Sequence, residues 1–178
     1  MLVAHAPVGY LVGSSVRIRG AVAASIAGAL APDVDVLPSF VLAVHHHAWP
    51  THWPVAWALV GAGLAPLLVT PKTRPAAVLA LLFVGNALLH LVCDSLVGDV
   101  RWLAPWSQHA FAVVHLKRVL DPWWLNFVLH PSFLVELALV AAAAYRYGSR
   151  PASRTWVSSA SIRAAQSAGS PDSHSTPA

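Results

Sequence analysis

From Pro75 to Val97 the chain reads PAAVLALLFVGNALLHLVCDSLV. A helix needs about 20 apolar residues to cross a bilayer, and this run supplies them while carrying His90 and Asp94 near its end. Two further segments have a similar character, Trp53 to Thr70 and roughly Trp124 to Tyr145. Composition agrees: of the 178 residues, 57% are hydrophobic and only 10% charged, against about 45–50% and 25% in a soluble domain. A chain this small needs a large polar surface in water and cannot bury such a surplus. The fold expected is therefore all-α, an integral-membrane helical bundle with about three spanning helices. Pro66 and Pro131 fall inside two of these segments as expected kinks, since neighbouring helices can satisfy the backbone groups that proline frees.

Ahead of these spans, HAPVGYLVGSS and GAVAASIAGALAPD read as two short helices split by Val16-Arg17-Ile18-Arg19. Gly20, Ala24, Gly28 and Ala31 recur at three- and four-residue spacing, which suits close helix packing in lipid. An N-terminal pair of short helices packed on the bundle, or dipping into the membrane, is expected. Residues 98–123 are polar and rich in tryptophan, as at a membrane interface, and Trp49, Trp53, Trp57 and Trp124 extend the same aromatic belt. From Gly148 onward Ser, Ala, Pro and Gly dominate, too little apolar area to offset ordering entropy. The division expected is a membrane-embedded domain over 1–147 and a disordered tail over 148–178.

The lone cysteine, Cys93, excludes an intramolecular disulfide and a multi-cysteine zinc site, and reads as a small buried hydrophobe. Net charge is +4 without a clustered basic face, so anionic lipid contact is expected and nucleic-acid binding is not. The opening MLVAHAPVGYLVG lacks a positively charged n-region and a cleavage site, so no signal peptide is expected. Lys72 and Arg74 lie between the first two spans, and Arg146, Arg150, Arg154 and Arg163 follow the third. The positive-inside rule puts that turn and the C-terminal tail in the cytoplasm, against Arg101, Lys117 and Arg118 on the other side.

Against this apolar background, HHHAWPTHWP packs four histidines into His45–Pro54, just after APDVD. His52 starts the first span, while His90 and Asp94 end the second. Antiparallel helices bring a start and an end to one membrane face, and a four-residue spacing puts His90 and Asp94 on one side of a helix. Asp33 and Asp35, with His5 and His47, complete a thiol-free set of imidazoles and carboxylates. Such sets bind zinc, manganese or iron. An ionisable group at membrane depth costs at least about a few kcal/mol, and a divalent cation offsets that by keeping carboxylates charged and imidazoles neutral. The expected metal ligands are His5, Asp33, Asp35, His52, His90 and Asp94, with zinc first. Read singly, His90 is a hydrogen-bonded structural histidine, Asp94 or Asp33 a helix cap, and His45 and His46 interfacial residues. His109, His115, His130 and His174 carry no clear role, and Glu136 is expected to pair with His130 or a backbone group.

The blocks HAPVG, GALAPDVD, HAWPTH and HLVCDSLVGDVRWLAPW, in this order over Met1 to Trp106, resemble the YdjM-like family of LexA-binding, inner-membrane-associated, metal-dependent hydrolases. That family's pattern runs from an early His through Pro-Asp-x-Asp and His-Arg-x-x-Thr-His to His-x-x-x-Asp followed by Gly and Pro. Its polar positions fall on His5, Asp33, Asp35, His47, His52, His90 and Asp94, and its flanking ones on Thr51, Gly98 and Pro105. Ala48 stands where the family has arginine, which removes a clamp for an anionic substrate. Trp53 replaces a serine, and no threonine follows Asp94.

The resemblance implies a plasma-membrane (inner-membrane) hydrolase acting on a phosphoester or lipid ester through a metal-activated water. Asp35 would take the water's proton and His47 would serve as a ligand or proton shuttle, and membrane lipids and a small-molecule or lipid substrate would be the partners. The alternatives are a non-catalytic membrane protein that binds or transports a metal, or a regulatory member with a degenerate site. A transporter would spread its polar groups along a path, whereas these gather at one end.

Overall fold

Proline and glycine punctuation decides where the helices of this chain start and stop. In a computed structural model, which describes residues 3–42, 45–117, 119–122 and 124–150, the described residues form seven α-helices and no strand. Helix α1 is His5–Ser15, α2 Ala21–Leu30, α3 Val36–Leu42, α4 Pro54–Leu64, α5 Arg74–Asp94, α6 Leu125–Val128 and α7 Phe133–Gly148. Short 3-10 turns at Pro32–Asp35, His46–Ala48, Pro50–His52 and Ala65–Leu68 join or extend them. Three of these four turns carry a proline in their first positions, where its missing N–H is not needed and its fixed φ suits a helical start. The all-helical class and the N-terminal helix pair are as the sequence indicated.

Helix α2 is the hub: it packs on α1 and on α5, while α4 packs on α5 and α7 on α1. The contacts run through small residues, with Ala21, Ala29 and Ala87 almost wholly buried. A Cβ on Gly28 would sit 2.1 Å from the Phe83 carbonyl oxygen of α5, and one on Gly13 would sit 2.6 Å from Val22 Cα. Close backbone approach of this kind is the packing mode of helices in lipid, where van der Waals contact drives association. Gly20, at φ 89°, makes the left-handed turn between α1 and α2.

Polar groups are buried beside the apolar core while large apolar side chains lie outside. His5, Asp35, His52, Asn86, His90, Asp94 and Glu136 are buried, whereas Leu37, Val41 and Val69 are 72%, 83% and 84% exposed. Polar groups are almost never fully buried unless paired, so each needs a partner inside. Asn86 bonds the Leu82 carbonyl within its own helix, and Glu136 accepts the Val3 backbone N–H. The latter is the backbone pairing foreseen for Glu136; His130 bonds Ser132 instead.

The spans differ in detail from the expectation. Among the described residues, α5 is the helix long and apolar enough to cross a membrane, and α2 with Pro32–Ser39, bent by 42°, passes only as a broken pair. The first expected span yields the shorter apolar helix Pro54–Leu68, whose end tightens to 3-10 at Pro66. The third is divided into α6 and α7 by a turn at Pro131, so proline there separates two helices and does not kink one, because the residue before proline disfavours helical geometry.

The segment after α5 folds back on that helix's end. Val100 and Phe111 form an isolated antiparallel bridge, and Val113 and Val114 donate to the Ser95 and Leu96 carbonyls. Trp102 bonds the Ser95 hydroxyl, while Leu103 and Trp106 stay largely exposed. Residues Met1–Gly148 form one compact unit. The expected tail, with Arg154, Arg163 and His174, lies outside the described residues beyond 150, as do Arg118 and Trp123.

Gly28→Ala should lower thermal stability in detergent, because the added methyl meets a backbone carbonyl that cannot swing away. Overpacking of this sort costs about 1–3 kcal/mol. An unchanged unfolding temperature would mean that α2 and α5 can part without loss.

Candidate metal centre

Helix α5 ends by presenting His90 and Asp94 one turn apart on a buried face. Asp94 becomes the point on which the other elements converge. Its Oδ1 lies 3.1 Å from His5 Nε2, at the first turn of α1. Its Oδ2 lies 3.0 Å from His90 Nε2, 3.5 Å from His47 Nε2 and 3.7 Å from His52 Nε2. Asp33 Oδ1, from the turn after α2, stands 3.5 Å from His90 Nε2 and 3.9 Å from His52 Nε2.

Backbone and carboxylate acceptors settle which nitrogen of each ring carries the proton. His90 Nδ1 is 2.7 Å from the Ala29 carbonyl, and His47 Nδ1 is 3.2 Å from the Asp99 carbonyl. A carbonyl can only accept, so both Nδ1 atoms donate. His52 Nδ1 lies 2.8 Å from Asp35 Oδ2, and an ionised carboxylate is likewise acceptor-only. In neutral rings all three Nε2 lone pairs therefore point at carboxylate oxygens. That arrangement is repulsive unless a proton or a cation stands between them.

The residues fit a cation. One donor atom each from Asp33, His52, His90 and Asp94 lies within 4.8 Å of the others. Zinc-like bonds of about 2.0–2.2 Å imply donor separations of about 3.4 Å around a tetrahedral centre, and the distances above bracket that value. The described residues thus hold a His/Asp cluster that could bind a metal ion. Its donor set admits zinc, manganese or iron.

Asp33 and Asp35 part company because they sit two residues apart on a 3-10 turn, where each step rotates the side chain by about 120°. Asp33 faces the Nε2 edge of His52 with its side chain 36% exposed, while Asp35 faces the Nδ1 edge and is buried. Asp35, expected as a ligand, therefore lies outside the group of four, and so does His5, which stacks on His90 with ring centroids 3.7 Å apart. His47 reaches Asp94 past Gly98, where a Cβ would come within 2.8 Å of His47 Cε1.

Thr51, one of the flanking positions of the family pattern, donates to Asp35 Oδ2. Neither the Ala29 nor the Asp99 carbonyl had any signal in the sequence, since every residue carries one. Nδ1 of the exposed His45 accepts the His47 N–H, and the side chain of His46 is outside those described. Burial first, and then the neighbouring His47 and Arg101, hold His45 below the ordinary imidazole value. His115 faces Asp99 at 3.6 Å on the surface, and His109 and His130 bond locally to Ser107 and Ser132.

The family model described as YdjM inner membrane protein matches residues 1–161 of this chain. No curated protein and no solved structure shows a significant match.

Burial works against a charged His52, but the negative charge of the nearby Asp94 and Asp35 and the hydrogen bond to Asp35 outweigh it, raising the ring above its ordinary value of 6.5. The linked stability has a definite sign. Protonated His52 stabilises the metal-free fold fully below about 6.5, and that contribution is lost as pH rises through the raised folded value. Thermal unfolding of chelator-treated protein should show stability falling across this window, with a flatter slope in His52→Gln. An identical slope in the variant would assign the effect to another group.

Proposed function

Because the chain belongs to the YdjM inner membrane protein family and its buried His/Asp cluster could hold a metal ion, we propose that it is a membrane-bound metal-dependent hydrolase. The observation that carries this reading is the convergence of imidazole Nε2 atoms on Asp94 Oδ2, with Nδ1 of His47, His52 and His90 each bonded elsewhere. Asp33, His52, His90 and Asp94 would hold the ion, zinc being the first choice. A divalent ion bound there supplies Lewis acidity that activates water and steadies negative charge growing on an attacked oxygen.

The chain's own groups divide the remaining work. His5 holds Asp94 through Oδ1 and stacks on His90, keeping that carboxylate's other oxygen turned to the cluster. His47, fixed at Nδ1 by Asp99, presents Nε2 at the edge of the site and is the group placed to carry a proton. Asp33 is the partly open member, so substrate enters beside it. From there Val34, Leu37 and Val41 run exposed along the turn and α3, an apolar approach suited to an ester delivered from the membrane.

A metal-binding protein without hydrolysis is the second reading, because the same ligands would serve it. Asp94→Asn should lose bound zinc, measured by elemental analysis of the purified protein, together with any hydrolysis of phosphoester or lipid ester. Full zinc occupancy in that variant would remove Asp94 from the site. Wild-type protein that holds zinc yet hydrolyses neither ester class above a metal-free control would select the binding reading.

Orientation follows from charge: with Lys72, Arg74 and the tail cytoplasmic, the site opens to the outer face. Leu103→Cys, at an exposed position, should react with an impermeant thiol reagent in intact cells lacking Cys93. Reaction only after lysis would reverse the orientation.

A further inference from the structure

Asp35 is a buried carboxylate beside the cluster that is not one of its four donors. Its side chain is 3% exposed, and its Oδ2 accepts both the Thr51 hydroxyl and His52 Nδ1. Thr51 and His52 are adjacent in one 3-10 turn, so a single oxygen holds two consecutive side chains of that turn. The surroundings brace this unit from both ends: Trp57 Nε1 donates to the Thr51 carbonyl at 2.7 Å, and Ser39 Oγ donates to the Asp35 carbonyl at 2.7 Å. His90 and His47 have their Nδ1 held by neutral backbone carbonyls, whereas His52 is held by a carboxylate. A carboxylate behind an imidazole fixes the tautomer and makes the opposite nitrogen a better donor.

We propose that Asp35, clamped by Thr51, is a positioning residue that locks His52 as the Nδ1–H tautomer and so presents Nε2 to the metal cluster. Asp35 is then neither a ligand nor the proton acceptor of the reaction. The oxygen that Asp35 uses is engaged twice on the Nδ1 side of His52, away from the Nε2 edge where the cluster's donors meet. The two carboxylates of Asp33-Val34-Asp35 thus serve opposite edges of the same ring, one across the metal position and one behind it. This inference rests on the metal-site reading above, and its readouts are independent of hydrolysis.

The test uses full-length protein in detergent, with 15N-labelled histidine and zinc alone as the probe. In alkaline buffer, where the rings are neutral, the nitrogen shifts of metal-free wild type should show His52 protonated at Nδ1. Asp35→Asn, which can turn an amide N–H toward the ring, should move His52 toward the Nε2–H form. Zinc should still bind at the wild-type stoichiometry but about 10–100-fold more weakly, the usual loss for a group that orients a ligand. Thr51→Val should weaken zinc in the same direction, and Thr51→Ser, which keeps the hydroxyl, should restore it.

Loss of zinc from Asp35→Asn as complete as from Asp94→Asn would make Asp35 a ligand and overturn the proposal. An unchanged tautomer with unchanged affinity would overturn it as well. Should Asp35→Asn fail to fold, the threonine pair decides: Thr51→Val and Thr51→Ser binding zinc alike would overturn it. If wild type binds no zinc the metal reading fails, while the His52 tautomer still judges Asp35.

Discussion

The approach of α2 to α5 at Gly28 is the contact on which the site depends. With no side chain at Gly28, the Phe83 carbonyl comes where a Cβ would stand only 2.1 Å away. That closeness brings the Ala29 carbonyl, the next residue along α2, to 2.7 Å from His90 Nδ1. The bond fixes the His90 tautomer, and the turn that follows α2 then delivers Asp33 to the far side of the same ring. A helix pair held a side chain's width further apart would lose both at once. Packing and chemistry share one cause here, the absence of a single methyl group.

Around Asp94 the balance of charge explains why so many polar groups tolerate burial. Carboxylates and imidazoles gathered in an apolar bundle are each costly alone. Together they are satisfied in part: every ring in contact with Asp94 brings a nitrogen, and His47, His52 and His90 each have the other nitrogen tied to a carbonyl or to Asp35. The remaining lone pairs all face carboxylate oxygens, so the cluster calls for positive charge, whether protons or a divalent ion. Competition between those two occupants links the stability of the fold to its metal content and to pH.

Prolines shaped the departures from a simple three-span bundle. Pro32 and Pro50 open the 3-10 turns that carry the two aspartates and His52. Pro66 tightens the end of the α4 segment, and Pro131 stands in the turn between α6 and α7. Hydropathy averages over a window and does not register where a chain is forced to turn. The long run from Pro75 contains proline only in the first turn of α5, and it alone stayed a single long apolar helix among the described residues.

Much of this was legible beforehand. The apolar excess and the 3.6-residue patterns specify helices, because only a helix satisfies its own backbone in apolar surroundings. The four-residue spacing of His90 and Asp94 puts them on one face whatever the rest of the chain does. The order of the His and Asp blocks marks them as a family's motif. What only the tertiary structure decided is the division of labour among them. Whether an aspartate stands in front of a ring or behind it depends on the twist of one 3-10 turn against another, as Asp33 and Asp35 show around His52. The carbonyls of Ala29 and Asp99 leave no trace in a sequence, since every residue has one, and only the closeness of packed helices and turns brings two of them onto imidazole nitrogens.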